Sequence, residues 1–518
     1  MKKALGLAFL LPSIGAGYYL FSKRTLPEPT GKPYQELPKA SYEDHPNKHI
    51  ISKIPKTIGI IGAGMSGLIS AKTFRTQGYE VEVIEKRPGP GGVWYENFDN
   101  SGLQGTKDTY FLPDYPFPDN YPPFPRRQQI KDWIDGLVKK FDLSPLIKFN
   151  TEVKSVTQNP DETWKLTFKD GTSKNYDFLV VCSGFNDIPK IPQYKGQENF
   201  KGKILHSSEF INAKVHCQGK KVIVIGAGKS AFDIMSTSVD YGGEVLGLVR
   251  KIGYAYPVNP KPYGIPFEFT TYSRLAYLCG IIYDPESSFI HKYFGFIEYL
   301  WLKFVHLQLR YGIIKELEPD EKDLHFLETA GIRDPPVQKK IADGKIKLMR
   351  GEIEEIKENG IMVKGKLIEC DTIVFATGFK PNYYVKQKEN DGFWLYRDVL
   401  VPGVRNVAIV GAFITTYTNL WSNIQALWLV DILRGSFKVA SIEEMNKDID
   451  KKKKIMFKYY ENYKGDPIYI SSQPFSPFII DEYLNDLKIQ TVRDDTMYKH
   501  WFKAFDINNY KTVVTHHI

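Results

Sequence analysis

The chain has 518 residues, 42% of them hydrophobic, which is a globular composition with length for two to four domains and not a disordered one. The net charge of +9 comes from 69 basic and 60 acidic residues, with no basic stripe interleaved with aromatics. Nucleic acid is therefore excluded as an expected partner, and "DKKKK" at 450–454 reads as a solvated helix face. Cys182, Cys217, Cys279 and Cys370 form no C-x-x-C, so neither a zinc spacing nor an adjacent redox pair is expected.

The amino terminus opens on an 18-residue uncharged stretch, Ala4–Phe21, flanked by Lys2, Lys3, Lys23 and Arg24. As a helix it would be about 27 Å long, close to a bilayer core, and Pro12 is tolerable in such a helix. A membrane anchor over 1–25 is expected, with a cleaved signal as the alternative and the orientation left open by basic residues on both sides. The Pro-rich polar stretch over 26–55 reads as a linker.

Next comes the most informative segment. An apolar run, Thr57–Ile61, precedes Gly62, Gly64 and Gly67 in the spacing G-x-G-x-x-G. A helical pattern follows, then a second strand over Glu80–Ile84 that ends at Glu85. The first glycine permits a tight turn, the second admits a pyrophosphate, and the third lets helix and strand pack closely. The helix start offers N–H groups and a positive dipole end, while Glu85 can accept bonds from ribose hydroxyls. Downstream, Gly91 and Gly92 of "GPGGVW" could turn N–H groups toward a second phosphate, with Trp94 either in the core or beside a flavin.

The same design recurs. Val222–Ile225 leads into Gly226, Gly228, Ser230 and Ala231, and the strand "EVLGLVRK" ends at Arg250, followed by Lys251. A carboxylate there would repel a 2′-phosphate, whereas arginine can bind one through charge-assisted bonds. An acidic first site and a basic second site suggest FAD and NADPH respectively. "FLVVCSGF" (Phe178–Phe185) reads as the outward crossing between the two units. "CDTIVFATGFKPN", with Thr377 and Gly378, and a strand ending at Gly411 read as the return. Between the crossing and the second loop lies F-x-G-x-x-x-H-x-x-x-F: Phe200, Gly202, His206 and Phe210. Its place suggests a connector, with the phenylalanines seated in the two domains and His206 bonding across the junction.

In this order the loops, G-G-x-W, the Phe-Gly-His-Phe fingerprint and F-A-T-G-F resemble class B flavoprotein monooxygenases of the flavin-containing monooxygenase type, from about Thr57 to Leu433. The resemblance implies an α/β fold with two nested Rossmann-like dinucleotide-binding domains, a helical insertion and, here, the amino-terminal anchor. The expected boundaries are FAD-binding parts at 56–188 and 376–435, an NADPH-binding domain at 189–375 with an insertion at about 255–335, and an extension at 436–518. It also implies that NADPH reduces FAD, that oxygen is taken up as a flavin hydroperoxide, and that a small-molecule sulfide or amine attacks it, with water exclusion limiting waste. The family's active-site asparagine corresponds to Gln104, before Lys107, which keeps an amide on a longer stem.

Baeyer–Villiger enzymes of this class end the fingerprint with Trp and then Pro or Asp. Phe210 followed by Ile211 favours nitrogen or sulfur oxygenation over carbonyl insertion. A flavin disulfide reductase lacks its cysteine pair here, and a non-catalytic flavoprotein of a membrane assembly is the other alternative. Within the insertion, Tyr293–Ile313 carries Glu298, Lys303, His306 and Arg310, which argue against spanning a membrane. Oligomerisation is left open. The expected location is the endoplasmic reticulum or another internal membrane, with the catalytic domain facing the cytosol. Deleting residues 1–25 is expected to move the protein from the membrane pellet to the soluble fraction; retention in the pellet contradicts the anchor.

Overall fold

The computed structural model describes residues 41–98, 100–103, 105–253, 273–274, 300, 303–305, 307–318, 335–385, 393–412, 417–459, 476–491 and 506–515. The expected anchor over 1–25, Gln104, Cys279, His306 and most of the insertion at about 255–335 lie outside them. Among the described residues no helix is long and apolar enough to cross a membrane.

The first unit begins with β1 (Thr57–Ile61), α1 (Met65–Thr76) and β2 (Glu80–Ile84). It continues through α2 (Arg127–Lys140), β3 (Ile147–Lys148), an antiparallel meander of β4 (Val153–Gln158), β5 (Trp164–Phe168) and β6 (Ser173–Tyr176), and then β7 (Phe178–Val181). The chain leaves along β8 (Ile188–Pro189) and builds a second unit. This comprises β9 (Lys203–His206), β10 (Lys221–Ile225), α3 (Lys229–Asp240), β11 (Glu244–Val249) and β12 (Ile346–Arg350). The meander β13 (Glu355–Lys357), β14 (Gly360–Val363) and β15 (Lys366–Glu369) precedes β16 (Thr372–Phe375). The chain returns along β17 (Phe379–Lys380) to β18 (Val407–Ile409), followed by α4 (Thr418–Arg434) and α5 (Ser476–Asp486).

Two five-stranded sheets result, ordered β18-β7-β1-β2-β3 and β12-β11-β10-β16-β9, and every pairing within them is parallel. In each, the strand feeding a glycine loop is central. Parallel sheets are covered on both faces, which is why these strands read as unbroken apolar runs. The second sheet shows the consequence residue by residue. Val222 and Val224 join one core cluster and Ile223 and Ile225 the other, as alternate side chains point to opposite faces.

The two phenylalanines of the fingerprint are placed differently from the sequence expectation. β9 is an edge strand of the second sheet, with His206 opposite Phe375, so the segment is not a free connector. Phe210 is fully buried in one core cluster of this unit and Phe200 packs against the other. Both therefore seat in the second unit, on its two faces, and the Phe210 cluster also takes in Phe98 of the first unit. Gly202 is required because a side chain there would strike the Phe200 ring and the Asp371 carbonyl.

A second departure concerns the linker read over 26–55. From residue 41 onward it is built into the first unit. Asn47 is fully buried; its amide nitrogen donates to the carbonyls of Ile432 (3.3 Å) and Phe437 (2.9 Å), and its oxygen accepts the Val439 N–H (2.8 Å). One side chain thus satisfies main-chain groups around the end of α4, where helical carbonyls lack partners. Polar composition concealed this docking, because the residues that do it are polar.

Candidate functional site

The first glycine loop sits at the carboxyl end of β1. Gly62 has φ +99° and a side chain there would press on the Cys182 carbonyl; at Gly67 it would overlap the Gly62 carbonyl oxygen. These two positions make the tight turn and the close helix–strand approach. Gly64 begins α1 in an extended conformation, with no side-chain cap on the helix. The Gly91-Gly92 turn crosses directly over it: the Gly91 N–H donates to the Ala63 carbonyl (2.8 Å), and a Cβ on Gly92 would lie 3.0 Å from the Gly64 Cα.

Glu85 is buried at the end of β2, and its carboxylate accepts the N–H groups of Ala63 (2.7 Å) and Arg87 (2.8 Å). It therefore fixes the loop's shape as well as marking the ribose position, and each oxygen retains a lone pair for a hydroxyl. Trp94 donates its indole N–H to the Tyr110 hydroxyl (2.8 Å), and burial pushes that phenol up to about 12. Tyr110 continues into an aromatic layer in which Tyr115 and Phe117 stack on Trp133 of α2. The layer is pinned by the buried Lys72–Asp114 ion pair (2.5 Å). Desolvation lowers the Lys72 pKa, and the adjoining Asp114 carboxylate counters this.

Gly411 closes the site from β18. Its φ is +72°, a side chain on it would overlap the Ser66 hydroxyl, and its N–H donates to the Gln425 side chain (3.1 Å). Ser66 also bonds Ser422 (2.9 Å), so α4 is tied to the start of α1. Sequence reasoning missed Ser66, Ser422 and Gln425. The last two lie in an apolar helix pattern, and nothing in it marks a polar partner on another strand.

The second loop repeats the first. Gly226 (φ +131°) lies against the Ala376 carbonyl, and Gly228 begins α3 uncapped, with open space where a side chain would be. Ser230 is half-buried, and Ala231 is fully buried in place of a third glycine. Lys229 forms a buried ion pair with Asp233 one turn along α3. Arg250 follows β11 with its side chain 80% exposed, 3.7 Å from the similarly exposed Glu352. That contact leaves its guanidinium accessible to an anion.

Thr377 and Gly378 meet the outgoing chain at the crossing. β8 and β17 pair antiparallel, the Thr377 hydroxyl donates to the Lys190 carbonyl, and the Lys190 N–H donates to the Gly378 carbonyl (2.9 Å). His206, fully buried, donates to that same carbonyl from Nε2 (2.9 Å). Its Nδ1 accepts the Ser208 N–H (3.2 Å), which fixes the proton on Nε2. Burial lowers the His206 pKa, with the Gly378 contact acting against that shift.

The structure thus gathers Gly62, Gly64, Gly67, Glu85, Gly91, Gly92 and Gly411 around the start of α1, and Gly226, Gly228 and Ser230 around the start of α3. Thr377, Gly378 and His206 form the junction. Gln104 is outside the described residues; Lys107 near it donates to the carbonyls of Pro118 (3.2 Å) and Asp119 (3.1 Å). Two uncapped helix starts, each with glycine-lined approach, fit the pyrophosphates of two dinucleotides.

The Flavin-binding monooxygenase-like (FMO-like) family matches residues 55–471. Flavin-containing monooxygenase 3 of Canis lupus familiaris is 26% identical over 437 residues, covering 78% of this chain and 79% of that protein. Probable flavin-containing monooxygenase 1 of Arabidopsis thaliana is 27% identical over 519 residues, covering 88% and 96% respectively. The crystal structure of OTEMO in complex with FAD and NADP shares the fold at a TM-score of 0.62 and 17% identity, over 84% of this chain and 97% of that one.

The His206 geometry predicts a pH dependence. Its folded pKa lies below the ordinary 6.5, so its full contribution to stability is present above that value. As pH falls below 6.5, the unfolded chain takes up a proton that the folded chain resists, and stability declines. His206→Gln retains an amide donor without a titrating group. It is expected to flatten the drop in melting temperature between about pH 7.5 and about pH 5.5; an unchanged slope contradicts this assignment.

Proposed function

From its place in the flavin-binding monooxygenase-like family, to which this chain belongs, we propose that the protein oxygenates a nucleophilic nitrogen or sulfur atom of a small molecule. It is a flavin-dependent oxidoreductase of a family that uses FAD and NADPH. The observation that carries the reading is the pair of uncapped glycine-loop helix starts, one beside a buried glutamate and the other beside an exposed arginine.

When bound, NADPH supplies the hydride and FAD activates oxygen. The chain's part is binding, orientation and dryness. The start of α1 holds the FAD pyrophosphate between Gly62, Gly64 and Gly67, with Gly91 and Gly92 turned to the second phosphate. Glu85 receives the ribose. The start of α3 holds the NADPH pyrophosphate through Gly226, Gly228 and Ser230, and Arg250 binds the 2′-phosphate. Thr377 and Gly378 set the approach of the second unit to the first, and Gly411 closes the space beside Ser66. Trp94 and the aromatic layer behind it exclude water from that side. Gln104, which stands where the family has its active-site asparagine, would supply the amide.

Nitrogen or sulfur is favoured over carbonyl insertion by Phe210 followed by Ile211, where the ketone-oxygenating relatives end the fingerprint differently. The uncharged Ala4–Phe21 segment supports an anchor in an internal membrane, with the catalytic units on the cytosolic side. Aerobic NADPH oxidation with a sulfide, an amine and a ketone, followed by product analysis, is the test. Sulfoxide or N-oxide is expected; ester or lactone as the main product contradicts the assignment. In the same assay Arg250→Ala is expected to raise the KM for NADPH roughly ten- to hundredfold, as for loss of a charge-assisted bond, and to leave NADH unaffected. Equal losses for both contradict the role of Arg250.

A further inference from the structure

The return crossing carries a backbone feature that no motif marks. After β17 the Val385 N–H donates to the Tyr383 carbonyl (2.6 Å), closing a three-residue turn around Tyr384, whose φ is +60°. A γ-turn with positive φ is rare and strained, and a bulky residue in that region is an outlier. Glycine would adopt the conformation without strain. The segment is held in it from several sides. The Ser183 hydroxyl donates to the Asn382 carbonyl, and the Tyr384 N–H donates to the Asn382 side chain (3.3 Å). The Tyr383 hydroxyl donates to the Ala412 carbonyl (3.3 Å), and its ring stacks on Phe393 with centroids 4.4 Å apart. Strain that the surroundings over-determine is concentrated at ligand clamps.

The side chain presented by this turn is placed for a ligand. Tyr383 and Val385 are buried, whereas Tyr384 between them is half-buried at the edge of the first unit's core. Its anchors, Ser183 and Ala412, follow the carboxyl ends of β7 and β18, the side of a parallel sheet on which dinucleotides bind. Its hydroxyl lies in the field of Asp187, Glu152 and Glu85, three carboxylates on separate segments, and Lys86 pairs with Asp187. Burial, followed by those charges, raises the phenol's pKa well above 10, so it remains a hydrogen-bond donor.

We propose that Tyr384 contacts the adenosine half of FAD, its ring forming a wall for the purine and its hydroxyl a donor to the base or ribose. This rests on the assignment of the first glycine loop to FAD, in which Glu85 marks the ribose. A tyrosine offers both an aromatic face and a polar tip. The strained turn is what leaves that face partly exposed between the buried Tyr383 and Val385.

The test replaces Tyr384 by the residue its backbone prefers. FAD is titrated into the deflavinated full-length protein, with ADP as competitor, for the unaltered chain and for Tyr384→Gly. The variant's FAD-free melting temperature is expected to be unchanged or higher, because strain is relieved. Its FAD dissociation constant is expected to rise roughly ten- to hundredfold, the range for loss of one base–aromatic stack. ADP should lose potency against FAD by the same factor. Unchanged FAD affinity overturns the proposal, as does weakened FAD with undiminished ADP affinity, which would place the contact at the flavin end. If the glycine variant does not fold, Tyr384→Asn, which also tolerates left-handed backbone, is read by the same outcomes. Failure of the unaltered chain to bind FAD would instead overturn the assignment of the first loop, and this contact with it.

Discussion

One carbonyl oxygen, that of Gly378, accepts two N–H groups, from the Lys190 main chain and from the His206 ring. It lies where the chain returns from the second sheet, beside the segment by which it left the first. Among the described residues the chain passes between the two sheets along β8 and β17, and Phe98 of the first unit, packed in the second unit's core, adds to their mutual placement. The glycine supplies the positive φ (+82°) that turns its carbonyl toward both donors. The histidine supplies a donor whose tautomer is set by Ser208, and its burial keeps it neutral. His206 is thus a positioning residue, and its chemistry is that of a fixed donor and not of an acid or base.

From that junction the two sites inherit related geometry. Each has a central parallel strand, an uncapped glycine start to its helix, and a charged residue after the next strand. What differs is the sign and burial of that charge. Glu85 is enclosed and braces its own loop, whereas Arg250 stands in solvent. Enclosure suits a carboxylate reading neutral hydroxyls, and exposure suits a guanidinium meeting a phosphate. The carboxyl-terminal helices complete the first site from behind. Gln425 of α4 holds the Gly411 N–H and donates to Tyr483 of α5 (3.1 Å), whose hydroxyl donates to the Arg397 carbonyl. The same knot encloses Asp398, whose carboxyl burial pushes up to about 6.

The parts legible in the sequence were those specified by neighbours along the chain. Apolar runs before G-x-G announce both central strands, because that signal fits within about thirty residues. The parts that escaped depend on partners far away. His206 meets Gly378 172 residues on, and Asn47 meets Phe437 390 residues on. Phe200 and Phe210, spaced like a bridge between domains, flank the edge strand β9 and pack into the clusters on the two faces of its sheet. The γ-turn at Tyr384 follows the legible motif F-A-T-G-F, yet nothing in "PNYYV" announces positive φ at a tyrosine. Tertiary anchors impose it.

The central claim is that the second unit holds NADPH where it can reduce a flavin held in the first. Mixing the FAD-loaded protein with NADPH under anaerobic conditions, while following the flavin's absorbance, tests this most directly. The account predicts that the yellow oxidised flavin bleaches in a single turnover and does so much faster with NADPH than with NADH. A flavin that stays oxidised in the presence of excess NADPH would contradict it.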